Sequence, residues 1–248
     1  MPFRLLTYNI RVGGVGRVEP LARVITAGAP DLVLLQEATR PDVIEQLAVR
    51  TGMAEWRAFP RQSLGYKSRE PVAHATWHQP RFSHHAFVEV MPAGRHFRIF
   101  GVHLSAVHAA WTERRRVYEL KALLRTVADH EGGFHVLAGD FNTLAPGALL
   151  DMTLLPLRLR PAVWLSGGRI KWRTIQTVLD AGYLDAFRFK HPDDAGFTVP
   201  APDPHVRLDY AFVPVAYGDW IAQCDLVHHP DVPAASDHVP LVVDIETR

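Results

Sequence analysis

The chain has one cysteine, Cys224, so no internal disulfide can staple it, and neither CxxC nor zinc-ligand spacing surrounds that residue. A core or near-surface thiol is expected there. Charge is almost balanced, with 27 Lys and Arg against 26 Asp and Glu and a formal net of +1. No global field therefore advertises a polyanionic partner, and only a local basic patch is left to consider. Long apolar runs are missing too. Met1-Pro2-Phe3-Arg4 leads into a run that ends in Asn9, too short for a signal-peptide core or a membrane span. The expectation is a cytoplasmic protein without a transmembrane segment. No fixed-period repeat or low-complexity tract stands out, and no protein partner can be inferred.

What the chain does have is core material. With 248 residues, 48% of them hydrophobic, it can bury a large interior. Its apolar runs end, one after another, in carboxylates, amides and histidines. Five stretches follow this design: Leu5-Leu6-Thr7-Tyr8-Asn9, Leu32-Val33-Leu34-Leu35-Gln36-Glu37, Phe100-Gly101-Val102-His103, His135-Val136-Leu137-Ala138-Gly139-Asp140-Phe141-Asn142, and Arg207-Leu208-Asp209-Tyr210-Ala211-Phe212. Ser236-Asp237-His238 follows near the C-terminus. A core needs none of these polar groups, because a buried carboxylate without a partner costs several kcal/mol or loses its charge. They make sense only if they converge, which predicts one domain over residues 1–248 and a divalent cation as the missing partner.

Helical patterns separate the strands. Residues 19–29 form a short amphipathic segment before Pro30-Asp31. Residues 41–51 begin at Pro41, a suitable first helical position, and stop at Gly52. Over 112–130, Val117, Leu120, Leu124 and Val127 share a face while Arg114, Arg115, Arg116 and Lys121 are free to point elsewhere, and Gly132-Gly133 is the stop. A further short helix covers 175–181, ended by Gly182. This alternation predicts an α/β layered architecture.

Taken alone, Gly139-Asp140-Phe141-Asn142 reads equally well as a turn. The set Asn9, Glu37, Asp140, Asn142, Asp209, Asp237 and His238 reads differently: it is oxygen-rich with one imidazole, the ligand chemistry of Mg²⁺ or Mn²⁺ rather than zinc. Ser236-Asp237-His238 is no hydrolase triad, because neighbours in an extended segment point to opposite faces. Asp237 is free to face a metal while His238 pairs with a carboxylate from another strand, for which Asp209 is the candidate.

Thr7-Tyr8-Asn9, Leu35-Gln36-Glu37, Gly101-Val102-His103-Leu104, Gly139-Asp140-Phe141-Asn142, Arg207-Leu208-Asp209-Tyr210 and Ser236-Asp237-His238, in that order, resemble the endonuclease/exonuclease/phosphatase (DNase I-like) superfamily of divalent-metal phosphoesterases. The resemblance spans nearly the whole chain. It implies a four-layer α/β/β/α sandwich, two packed mixed β-sheets flanked by helices, with the site where strand ends meet. It also implies roles. Glu37 is the main metal ligand, helped by Asn9 and Asp237, and Asp209 orients His238, which activates or orients the attacking water. Asp140 lies near the nucleophile, and the resemblance leaves open whether it is itself the general base. Asn142 and His103 hold phosphate oxygens, with His103 a candidate to protonate the leaving group. Phosphoryl transfer needs charge on phosphate oxygens neutralised and the water held in line, which this set can supply.

One zone departs from the pattern. Relatives carry an apolar strand ending in Ser after the second helix, with an acidic or aromatic site residue nearby; across residues 64–78 here, Glu70, Tyr66 and His74 are available and none is assigned that role. The doublets His84-His85 and His228-His229 lack ligand spacing and are expected as solvated surface.

Substrate class rests on residues 158–173, which hold five basic residues and no acid, interleaved with Trp164 and Trp172. Arg169, Lys171, Arg173 and Trp172 are the candidate contacts. Cations and indoles suit nucleic acid, the same composition suits an anionic lipid surface, and an amphipathic loop with its Trp packed inward is the plain alternative. Three classes stay open: a nuclease acting on a phosphodiester of DNA or RNA, a sphingomyelinase- or phosphoinositide-type lipid or small-molecule phosphoesterase, and an inactive binding module. The full polar set disfavours the last, and the lack of a long apolar extension favours the first over the second.

Overall fold

The fold is described from a computed structural model, in which residues 2–81, 83, 85–106, 110–129, 133–148, 154 and 172–246 are described. Its centre is a pair of largely apolar strands, β1 (Phe3–Asn9) and β2 (Leu32–Gln36), which run parallel with Asn9 beside Gln36. Both strands are buried on two faces, as parallel strands covered on both sides are. Leu5, Leu32 and Leu34 face one core, while Leu6, Tyr8, Val33 and Leu35 face another. The second core is closed by α1 (Val18–Gly28) and α2 (Pro41–Thr51), whose Leu21, Val24, Ile25, Val43, Ile44 and Leu47 pack on that face. Pro41 stands in the first turn of α2, and Gly52, at φ 62°, caps its end with an N–H to the Ala48 and Val49 carbonyls.

Two more strands, β3 (Glu55–Arg57) and β4 (Leu64–Ser68), complete one edge. There follow β5 (Val72–His78), β6 (Phe87–Pro92), β7 (Arg98–His103), α3 (Ala110–Ala128), β8 (His135–Asp140), α4 (Arg173–Asp180), β9 (Tyr183–Asp185), α5 (Ala186–Lys190), β10 (Asp209–Pro214), β11 (Ile221–Leu226), α6 (Val232–Ala235) and β12 (Leu241–Ile245). The first sheet has the order β11-β12-β1-β2-β4-β3 and the second β5-β6-β7-β8-β10-β9. Both are mixed sheets with the same pattern of directions, antiparallel throughout except for one parallel pair, β1/β2 in the first and β7/β8 in the second. Each parallel pair needs a crossover, supplied by α1 and α3. The sheets face each other across a shared core that includes Leu5, Leu34, Val88, Phe100 and Phe212, and Leu120, Leu123, Val127, Ile175 and Val178 of α3 and α4 cover the second. The architecture is the four-layer sandwich expected. Among the described residues no helix is long and apolar enough to cross a membrane.

Gly139 explains how tightly β7 and β8 lie. Its φ is 149°, and a Cβ there would overlap the Val102 carbonyl. Only glycine fits.

Several expectations shift. Strands end one or two residues before the polar group in two cases: β2 stops at Gln36 and β8 at Asp140, leaving Glu37 and Asn142 just beyond, at φ 56° and 51°. The sequence patterns also passed over β3, β4, β5, β6, β9, β11 and β12, most of them edge strands or antiparallel neighbours without a helix between them, and β4 ends in Ser68 as the strand of relatives does. Arg116 does not point to solvent with Arg114 and Arg115; it is 2% exposed and paired with Glu113. Gly132, the expected stop of α3, lies outside the described residues.

Candidate active site

The carboxyl ends of β1, β2, β7 and β8 meet, and the start of β10 and the turn before β12 join them. Asn9 bridges the two sheets. Its Nδ2 donates to Glu37 Oε1 at 3.3 Å and to Asp140 Oδ2 at 3.0 Å, while its Oδ1 accepts from Arg11 N at 2.9 Å. The amide thus faces both acids as a donor, an orientation fixed by the Arg11 N–H. Glu37 also accepts from Val12 N, and its carbonyl accepts from Gly13 N and Thr39 N, so its left-handed backbone is held from several sides.

Asp140 is almost fully buried. Asn142 donates to it twice, from its backbone N to Oδ1 at 2.8 Å and from Nδ2 to Oδ2 at 3.1 Å, and spends Nδ2 on the Leu104 carbonyl as well, at 3.0 Å. Asn tolerates the left-handed conformation this requires. Two imidazoles flank Asp140 Oδ2, His103 Nε2 at 3.8 Å and His238 Nε2 at 3.9 Å. His238 Nδ1 lies 2.8 Å from Asp209 Oδ2, and Ser236 Oγ, which donates to the Asn9 carbonyl at 2.6 Å, accepts from His238 N at 3.3 Å. The turn carrying Asp237 and His238 is thereby pinned to the end of β1. Asp237 is half-buried and pairs loosely with Arg11 Nε at 3.5 Å.

The electrostatics follow from burial and charge. Desolvation lifts the Asp140 carboxyl to about 7, against the pull of His238 and with the push of Asp209. Burial works against the His238 imidazolium, but the Asp209 carboxylate, joined by Asp140 and Asp237, outweighs it, and the pKa rises to about 10. Asp140 and His238, 3.9 Å apart, each shift the other toward its charged form. His103 goes the other way, pushed down to about 3 by burial, His85 and His238.

Asp140, Asp209 and His238 bring one ligand atom each within 4.8 Å of one another. Asp209 Oδ1 is buried without a hydrogen-bond partner among the described residues. Glu37 and Asp237 stand at the half-exposed rim of this cluster. A donor set of carboxylate oxygens with one imidazole, an orphaned buried carboxylate oxygen included, suits a hard divalent cation.

Two partners were missed from sequence. Ser63 Oγ is hydrogen-bonded to His103 Nδ1, and His85 stacks on the His103 ring, centroids 4.7 Å apart and planes 10° from parallel. His85 is therefore not plain solvated surface; His84 lies outside the described residues, and His228 is exposed. Of the candidates across 64–78, Tyr66 is buried with its hydroxyl on Glu55, and Glu70 and His74 are exposed at the opposite end of the sheets. Because β4 runs antiparallel to β2, with Leu64 beside Gln36, it is the residue before the strand that reaches the site. Of the expected substrate contacts, Arg169 and Lys171 lie outside the described residues; Trp172 and Arg173 are exposed at the start of α4.

Two packed mixed sheets whose facing strand ends gather carboxylates, amides and imidazoles define the DNase I-like α/β sandwich class. The chain belongs to the endonuclease/exonuclease/phosphatase family, whose profile matches residues 6–238. Members of this family are hydrolytic phosphoesterases. Among solved structures, the fold is similar to an AP endonuclease from Archaeoglobus fulgidus (17% identity, 99% of this chain and 100% of that one, TM-score 0.72). It is also similar to a 3'-5' exonuclease from Neisseria meningitidis (20%, 99% and 100%, 0.72) and to a 3' phosphatase from Neisseria bound to a product DNA hairpin (19%, 99% and 100%, 0.73). At these identities the likeness establishes the fold. No match was found among curated proteins.

Proposed function

We propose that the protein is a divalent-metal-dependent phosphodiesterase, a single catalytic domain over residues 1–248 that acts on nucleic acid by in-line attack of an activated water. The observation that carries this reading is the convergence of Glu37, Asn9, Asp140, Asp209 and His238 from two sheets into one connected polar cluster. Glu37, with Asp237, would hold Mg²⁺ or Mn²⁺, and Asn9, expected from sequence as a ligand, would instead orient Glu37, because its Nδ2 donor faces the acids and its Oδ1 is taken by Arg11 N. Such an ion, when bound, neutralises charge on the phosphate oxygens and leaving group.

The chain's own residues divide the remaining work. Asp209 accepts the His238 Nδ1 proton and turns Nε2 toward the site, where a charged imidazolium can contact a phosphate oxygen. Asp140, with a pKa raised into the neutral range, suits a general base for water. Asn142 aims Asp140 through both its donors. His103 stays neutral, and with Ser63 Oγ–H donating to its Nδ1, the Nε2–H is left to donate to a phosphate oxygen.

Nucleic acid is favoured by the outer face of α3. Trp111, Arg114, Arg115, Tyr118, Lys121 and Arg125 are exposed there at helical spacing, while the acids of this helix, Glu113 and Glu119, are buried. A polyphosphate backbone matches such a stripe. The similar fold of DNA-acting enzymes supports the same choice. A lipid phosphoesterase is the second reading, favoured by Val12 and Val15, 70% and 51% exposed on the loop whose Val12 N–H bonds Glu37.

The test is a screen of the purified protein, with Mg²⁺ or Mn²⁺ and with EDTA, against plasmid DNA, RNA, an abasic duplex, sphingomyelin vesicles and bis(4-nitrophenyl) phosphate. Metal-dependent cleavage of a polynucleotide is expected. Turnover of sphingomyelin alone moves the protein to the lipid class, and turnover undiminished in EDTA ends the metal reading.

A further inference from the structure

Three charged residues of α3 point inward. Glu113, Arg116 and Glu119 are spaced by three on one face and are 3%, 2% and 4% exposed. A helix that met only a core would place apolar residues there, since burying an ion pair gains little over a hydrophobic contact. What the charges meet, besides each other, is backbone and hydroxyl groups of the neighbouring loops. Glu113 Oε1 accepts from Thr174 N at 2.7 Å and Thr174 Oγ1 at 2.9 Å; its Oε2 accepts from Thr143 Oγ1 at 3.3 Å and from Arg116 Nη2 at 2.9 Å. Arg116 Nη1 donates to the Ser105 carbonyl at 2.8 Å, and Glu119 accepts from Ser105 N at 3.1 Å and Ser105 Oγ at 2.8 Å.

The three anchored residues are specific ones. Ser105 follows His103 by two positions, and Thr143 follows Asn142 directly. The β7/β8 register ends at His103 beside Asp140, so beyond it the Ser105 N–H and carbonyl need other partners, which Glu119 and Arg116 supply, while Thr143 is held through its hydroxyl. Thr143 and Thr174 are the two stems of the chain that leaves after Asn142 and returns at α4, and both end on one carboxylate.

We propose that Glu113 and Arg116 are positioning residues of this site, a buried ion pair that sets the loop after His103 and the loop carrying Asn142 relative to each other. The role assigned to the site rests on the phosphoesterase reading above; the positioning itself does not. Neither side chain touches the substrate. Their action is to hold Asn142, and through it Asp140, in line with His103, where displacement by about 1 Å costs on the order of 10²-fold in rate.

The test compares Glu113→Gln, which keeps shape and loses the charge, and Arg116→Met with Asp244→Asn, which breaks the Arg4–Asp244 pair on the other sheet. The measurements are kcat and KM on bis(4-nitrophenyl) phosphate well below each melting temperature, and amide hydrogen exchange at Leu104, Asn142 and Thr174. Both α3 variants are expected to lose about tenfold or more in kcat with KM within about twofold, and to exchange faster at those amides. Asp244→Asn should lower the melting temperature while leaving kcat and those amides alone. Should Glu113→Gln fail to fold, Arg116→Lys, which keeps charge and loses the planar fork, carries the comparison. Wild-type kcat and exchange in the folded α3 variants would overturn the proposal. A wild type inactive on every phosphoester, with faster exchange in the variants, would sink the phosphoesterase reading and leave the positioning standing.

Discussion

His238 Nδ1 lies 2.8 Å from Asp209 Oδ2, and that hydrogen bond joins the turn before β12 in one sheet to the first residue of β10 in the other. If the carboxylate both orients the ring and keeps it charged, the two residues act as a unit. Asp209→Asn and His238→Ala are each expected to lower kcat by roughly 10²–10⁴-fold. The double variant should be little worse than the poorer single one. Strictly additive losses in folded protein would show independent roles.

Glu37→Gln keeps the hydrogen bond to Val12 N and removes the charge that a hard cation requires. Mg²⁺ or Mn²⁺ affinity by calorimetry and metal-dependent turnover should both fall, beyond the roughly 10–100-fold typical of losing an outer partner of a metal site. Unchanged affinity would remove Glu37 from the ligand set.

For a polynucleotide substrate, Arg114, Arg115 and Lys121→Ala should raise KM and flatten the salt dependence, by about 0.7–0.9 in logarithmic slope for each phosphate that the variant no longer engages. Hydrolysis of a small chromogenic diester should not change. The same measurement on Arg169, Lys171 and Arg173→Ala tells which basic stretch tracks the backbone. If both triple variants cleave long DNA at every salt concentration as the wild type does, neither does.

Lys67 is buried beneath α2, donating to the Leu47 carbonyl at 3.2 Å and to Thr51 Oγ1, and burial, with Arg69, pushes its pKa down to about 7 from an ordinary 10.5. Between those two values the unfolded chain binds more protons, so the folded state gains stability as pH rises from about 7 to about 10.5. The slope approaches ~1.4 kcal/mol per pH unit from this group. Urea denaturation at pH 7 and pH 9.5 should show that gain, and Lys67→Met should shrink it; an equal gain in the variant would assign it elsewhere.

Gly139→Ala is expected to cost more than ~4 kcal/mol, because a Cβ would overlap the Val102 carbonyl and force β7 from β8. Thermal unfolding measures it. A loss under about 1 kcal/mol would mean that the strands can part there without penalty.

Four of the residues read from sequence share one trait: each closes an apolar run, whereas Asp209 opens one and His238 precedes one. Asn9, Glu37, His103 and Asp140 stand at the carboxyl ends of parallel strands, where a polar residue breaks a hydrophobic pattern visibly. Ser63 was not legible because it precedes its strand, and only the antiparallel pairing of β4 with β2 brings it to His103. His85 looked like half of a surface doublet. Arg116 sat in a run of three arginines, and nothing local separates the one that turns inward from the two that do not; its partners Ser105 and, through Glu113, Thr174 lie 11 and 61 residues from the helix residues they bind.

Sheet order also sets a schedule. The strands of the second sheet are contiguous in the chain, β5 to β10, whereas the first is built from β1 to β4 and completed by β11 and β12. Arg4 and Asp244, which pair across β1 and β12, are 240 residues apart. A chain emerging from the ribosome can close its second sheet while β1 still lacks its outer neighbour. His238 follows Asp209 by 29 residues and arrives just before β12, so nascent protein carries Glu37, Asp140 and Asp209 before it has the imidazole that pairs with Asp209, and completion of the polar cluster comes as a late event in the making of each molecule.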